Sequence, residues 1–170
     1  RFPVSSLEEA NVLVDKVEQY YRISSYGSWR NDIAFIADDG DANDGNTHMW
    51  QADSLANHIA DNYQQINIKK IYLDNYTQEA TPAGQRSPDT QNAINNKIKK
   101  GALLVNYTGH GSTLGWAQER ILEIDQIKKW NNIDNLPLFM TATCKFSYFD
   151  NPEEKSAGEY VLLNSEGGAI

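Results

Sequence analysis

An α/β sandwich built on a mainly parallel sheet is what this sequence predicts, and three features predict it. Short apolar runs at 33–37, 68–73, 102–107 and 136–142 alternate with stretches of helical period. The runs are apolar along their length, as in strands covered on both faces. Between them lie segments long enough for the helical crossovers that parallel strands need.

Each element has its own signal. Ser6 and Glu9 stand at capping-box spacing ahead of Ala10, Leu13, Val14, Val17 and Tyr21, which recur at helical period. Gly27 and Ser28 break that pattern, and the first strand follows at 33–37. An acidic, turn-rich loop at 38–45 comes next. Met49, Ala52, Leu55, Ala56, Ile59 and Tyr63 mark the second helix, and 68–73 the second strand. Ser87 with Pro88 starts a helix carrying Ala93, Ile94 and Ile98, which ends at Lys99, Lys100 and Gly101. The third strand is 102–107. Ile121, Ile124, Ile127 and Trp130 predict a helix before the fourth strand at 136–142. Asn151 and Pro152 start a last helix with Ala157, Tyr160 and Val161 on its apolar face.

Composition narrows the function. The chain has 170 residues, with 15 basic against 23 acidic side chains and a net charge of −8. No Lys/Arg stripe marks a nucleic-acid partner. No apolar run approaches the length of a membrane-spanning helix. The ends, Arg1-Phe2-Pro3-Val4 and Gly167-Gly168-Ala169-Ile170, read as cuts inside a larger protein, the second through a strand. One cysteine excludes an internal disulfide and leaves either a small buried hydrophobe or a reactive thiol.

In open parallel sheets, sites form where strands end at their carboxyl side. The third strand runs into Thr108-Gly109-His110-Gly111-Ser112, and the fourth into Thr143-Cys144-Lys145-Phe146. The two side chains are 34 residues apart, a distance one crossover bridges. The chemistry needs this pair. A free thiol has a pKa of about 8.5, and a nearby imidazole can take its proton and later protonate a leaving amine. The glycines flanking His110 let the chain turn sharply. The amides of Gly111 and Cys144 are candidate donors to an oxyanion. The competing readings are a structural cysteine and a histidine in a simple turn.

The residues 104–112, ending Thr108-Gly109-His110-Gly111-Ser112, resemble the His motif of the gingipain family of clan CD cysteine peptidases, which share a caspase-like fold. The stretch 141–152 around Cys144 is similar to the sortase branch of that family, the PorU-type enzymes of the type IX secretion system. The resemblance implies a caspase-like three-layer sandwich, with residues 1–30 a helical bridge from a preceding subdomain. Residues 31–170 would be the catalytic subdomain, incomplete at its C-terminal end. It implies Cys144 as nucleophile and His110 as acid/base. Asp39 matches the family's acidic residue after the first strand, with Asp38 and Asp41 as alternatives. His48 falls where arginine-specific gingipains carry a substrate-binding carboxylate. Thr143 departs from the alanine usual before the cysteine.

By the same resemblance the enzyme sits at the outer-membrane surface of a Gram-negative bacterium. Its partners would be proteins bearing a C-terminal sorting domain, other secretion-system subunits and an anionic lipopolysaccharide as acyl acceptor. A purely hydrolytic endopeptidase and a non-catalytic scaffold are the alternatives. No cofactor is required. A calcium reading of 39–45 begins like an EF-hand but fails, with Asp44 at the invariant glycine and Trp50 at the bidentate glutamate. Trp116 is a candidate pocket wall, with core packing as the alternative. His58 reads as surface, and the sequons at Asn75 and Asn106 as coincidence.

Overall fold

A computed structural model describes residues 2–170. In chain order the helices are α1 Leu7–Tyr21, α2 Thr47–Asn62, α3 Pro88–Lys100, α4 Ile124–Ile127 and α5 Ala157–Leu163. The strands are β1 Asp32–Ala37, β2 Asn67–Tyr72, β3 Glu79–Thr81, β4 Gly84–Arg86, β5 Leu104–Thr108, β6 Gly111–Ser112, β7 Gly115–Trp116, β8 Leu122–Glu123 and β9 Leu138–Ala142.

Four strands form a parallel sheet in the order β2-β1-β5-β9. Alternation along β1 builds two cores. Ile33, Phe35 and Ala37 pack with Ala52 and Ala56 of α2 on one face. Ala34 and Ile36 pack with Ile94 and Ile98 of α3 on the other, continuous with Ile127, Ala157 and Val161 of α4 and α5. Three layers result. Because β1 is central, the chain winds outward to β2 and then returns to β5. This switch point between β1 and β5 is where a crevice opens at the carboxyl ends.

Both faces are covered only around β1. On β9, Leu138 is 50% and Met140 54% exposed, and across from them Trp50 is 68% and Leu55 51% exposed. The expectation that all four strands are covered on both faces therefore fails for β9, since α2 reaches only the β2–β1–β5 part of its face.

Helix α1 is docked on the body. Buried Lys16 donates to the carbonyls of Val161 and Leu162 in α5 and of Gly167 in the turn beyond it, at 3.3, 2.7 and 2.8 Å. At the start of α1, the Ser6 hydroxyl accepts the Glu9 amide, while the Glu9 carboxylate reaches Ser5.

Two helices differ from expectation. The segment with Ile121, Ile124, Ile127 and Trp130 forms a helix only over α4. Leu122 and Glu123 are drawn off to pair with β7, and Glu123 then caps α4 in a box with Gln126. The last helix starts at Ala157, because Asn151 closes an Asx turn onto the Glu153 amide while Ser156 and Glu159 form the capping box. Gly167 and Gly168 form a turn, not a strand. Asn132 clamps Gly168 through both its amide and its carbonyl. No helix among the described residues is long and apolar enough to cross a membrane.

Candidate active site

Strands β5 and β9 are in register, with Thr108 opposite Ala142. The ladder extends one step further, since the Gly109 amide donates to the Ala142 carbonyl at 3.3 Å. His110-Gly111 and Thr143-Cys144 therefore leave the sheet side by side. The fit between them is tight. A Cβ on Gly111 would stand 2.4 Å from Thr143 Oγ1 and 3.3 Å from the Cys144 carbonyl oxygen. A side chain at 111 would push the two loops apart. Thr143 fills this seam.

His110 is held through its backbone. Its amide donates to Asp38 Oδ2 at 2.8 Å, and its carbonyl accepts from the Tyr107 hydroxyl at 2.6 Å and from the Ala117 amide at 2.9 Å. Gly109 is needed beneath it. A Cβ there would lie 2.5 Å from both Asp38 Cβ and Tyr107 Oη. The Ala117 bond to His110 also makes Gly111–Trp116 a non-hydrogen-bonded pair of the β6–β7 hairpin. The Gly111 amide consequently points away from β7.

The imidazole lies among carboxylates. Its Nε2 is 3.1 Å from Asp44 Oδ2 and 3.4 Å from Asp41 Oδ2. The other oxygen of Asp41 accepts the amides of Asn43 and Asp44, each at 2.7 Å. Those two amides, Asp44 first, hold the Asp41 carboxyl below its usual range, with His110 adding to them. The acidic loop at 38–45 thus folds on Asp41 and turns two carboxylates toward the histidine.

The other acids have separate places. The Asp39 carboxylate accepts Gln78 Nε2 at 2.7 Å. Asp38 is 2% exposed, and burial pushes its carboxyl up to about 6, against the opposing bond from the His110 amide. His48, from the first turn of α2, meets the His110 ring edge-on at 4.9 Å between centroids.

Cys144 is exposed on the turn after β9. Lys145 follows it with φ 54, a left-handed conformation unusual for a side-chain-bearing residue. Buried Phe146 then anchors the turn, its carbonyl accepting the Gly158 amide of α5 at 2.7 Å. Among the described residues no hydrogen bond joins the Cys144 thiol to His110. A cleft of about 320 Å³ opens beside His110, Gly111, Ser112 and Arg120.

Trp116 combines the two readings offered for it, core packing and a wall of the cleft. It is fully buried, stacked on Tyr107 at 4.2 Å and 9° and packed against Phe146. It backs the cleft from beneath. His58 is exposed, and Asn106 is buried on β5, where it cannot accept a glycan. Glu119 carries no local signal in the sequence; it is buried, and burial raises its pKa.

An exposed cysteine and a backbone-pinned histidine at adjoining strand ends of a parallel sheet define a class, the cysteine peptidases of caspase-like fold. The profile of Peptidase family C25 matches residues 1–170, and the chain belongs to that gingipain family. Its fold is similar to the crystal structure of the Arg-specific cysteine proteinase gingipain R (RgpB), with a TM-score of 0.73 at 22% identity. It is equally similar to the complex of the pro- and mature domains of Porphyromonas gingivalis RgpB, with a TM-score of 0.74 at 21% identity. Both matches cover 98% of this chain and 37% of the other. This chain thus spans well under half the length of those relatives. No curated protein sequence matches.

Proposed function

We propose that this protein is a cysteine transpeptidase of the sortase kind, using Cys144 as nucleophile and His110 as acid/base. The observation that carries the reading is the tight seam between the Gly109–His110–Gly111 turn and the Thr143–Cys144 turn. In the reaction, the Cys144 thiolate attacks the scissile carbonyl and forms a C–S bond. The oxyanion is met by the amides of Gly111 and Cys144. Collapse breaks the C–N bond, and His110 gives its proton to the departing amine. A thioester remains on Cys144. An acceptor amine then attacks, His110 takes its proton, and the C–S bond breaks to release an amide-linked product. With water in place of the amine, the same steps give hydrolysis.

Asp41 and Asp44 favour the imidazolium that stands beside the thiolate before attack and that forms again when His110 takes the acceptor's proton, as nearby carboxylates do. Asp38 holds the His110 backbone. Substrates would be secreted proteins with a C-terminal sorting domain, acting at the cell surface with lipopolysaccharide as acceptor. The sequence around Cys144 supports that branch.

The test is the pH dependence of Cys144 alkylation in the full-length protein. We expect rapid modification at pH 6, well below the free-thiol pKa of about 8.5, slowed more than tenfold in His110→Ala. A rate that ignores His110 would reject the pair. Incubating a sorting-domain substrate with an amine acceptor then separates the outcomes: an amide-linked product supports transfer, and a free carboxylate alone supports hydrolysis.

A further inference from the structure

The cleft beside His110 is bordered by strained backbone. Among the described residues, three that are not glycine hold a left-handed φ: Ala117 at 62°, Arg120 at 54° and Lys145 at 54°. Lys145 follows Cys144, and the other two line the cleft. Side-chain-bearing residues seldom adopt this conformation, and such strain gathers at functional sites. The surrounding turn holds it in place. The Ile121 amide donates to the Trp116 carbonyl at 3.2 Å, and the Gln91 side-chain amide donates to the Arg120 carbonyl at 2.6 Å.

Two donors border this cleft without a committed acceptor. The Arg120 side chain is 55% exposed, and its guanidinium meets Glu123 Oε1 only at 3.5 Å, long for a hydrogen bond. The Glu123 carboxylate is engaged elsewhere, accepting the Gln126 amide in the α4 capping box. Beneath lies Trp116, fully buried, with no hydrogen-bond partner for its indole Nε1–H. A buried tryptophan usually finds one. Unspent donors that include a guanidinium favour a group that accepts hydrogen bonds and carries negative charge.

The cleft also belongs to one side of the reaction. His110 and Gly111 line it, and Cys144 does not. In the proposed mechanism the acyl group stays on Cys144, while the departing or arriving amine exchanges its proton with His110. The cleft therefore lies on the amine side. Its volume of about 320 Å³ is at the small end for ligand sites, which suits a group of amino-acid size.

We propose that Arg120 is a specificity-determining residue that selects amines carrying a carboxylate or similar anionic group close to the nitrogen. That group would accept from the Arg120 guanidinium and from the Trp116 indole. The assignment to the amine side rests on the role proposed for His110, whereas anion binding at Arg120 does not.

The experiment uses the full-length protein and three probes: aspartic acid α-amide, alanine amide and lysine amide. Binding is measured calorimetrically with the Cys144→Ala variant, which has no nucleophile. We expect the aspartic amide to bind about tenfold more tightly than the other two, as one charge-assisted hydrogen bond allows. Arg120→Gln should erase that preference, and Arg120→Glu should turn it toward lysine amide, a reversal that a merely structural role would not produce. Arg120→Gly suits the left-handed backbone, so it should lose the preference with no loss of Tm and carries the test if the other variants fold poorly. As acceptors for the Cys144 thioester in the wild type, the probes should show the same order. Selective binding without transfer would reject the transpeptidase reading and leave Arg120 selecting the leaving amine. Equal affinity for the three probes, no binding of any, or a preference that survives Arg120→Gln would overturn the proposal.

Discussion

Lys16 is buried in α1, yet its ammonium finds three carbonyl acceptors in α5 and the turn beyond it. Burial pulls it from its ordinary 10.5 down to about 7. The folded chain therefore holds fewer protons than the unfolded one between those values, and stability rises with pH across that window. We predict that urea denaturation at pH 7 and pH 10 shows a gain of up to about 4 kcal/mol from this group. Lys16→Met should lose that gain, and an equal gain in the variant would show that Lys16 is not its source. At Gly109 the argument is steric. Gly109→Ala places a methyl 2.5 Å from Asp38 Cβ and Tyr107 Oη. We expect a loss of about 1–3 kcal/mol, with Cys144 alkylation at pH 6 falling toward the free-thiol rate.

Elements are legible in the sequence where the signal is local. The β1 run and the Ser87-Pro88 helix start are where the apolar pattern and the capping residues put them. Errors arose where two local signals competed. Asn151-Pro152 and Ser156 both look like helix starts, and the second wins because Ser156 also accepts the Tyr148 amide in a buried setting. Ser156→Ala should therefore cost about 1–2 kcal/mol in chemical denaturation, whereas Asn151→Ala should cost much less. The β6–β7–β8 meander gave no pattern at all. Its strands are two residues each, too short for an alternation to be seen. Its place is fixed instead by Trp116 stacking on Tyr107 of β5, a contact between distant side chains that no local rule anticipates.

At the scale of the molecule, the sheet is unevenly covered. Trp50, Leu55 and Met140 border an apolar groove of about 660 Å³ between α2 and β9, and Leu138 is exposed on the same strand. Exposed apolar surface beside an edge strand favours association. We predict that the 170-residue chain self-associates at tens of micromolar in sedimentation velocity, and that Met140→Lys shifts it toward monomer. A monodisperse wild-type monomer would count against this. The fold agrees with that expected from the sequence, three layers around a parallel sheet in the C25 family.

The sequence by itself determined the α/β class, the succession of the main strands along the chain, and the delivery of His110 and Cys144 to strand ends. These follow from period, caps and run length, which are properties of neighbours in the chain. Tertiary structure alone decided which acid serves which partner. Four aspartates crowd into 38–44, and residue spacing cannot say which carboxylate turns where. The sheet register and the Asp41 turn send Asp41 and Asp44 to the imidazole, Asp38 to the His110 backbone and Asp39 to Gln78. Glu119 joins Asp38 and Asp39 from 80 residues further along the chain, because side-chain convergence depends on packing and not on sequence distance.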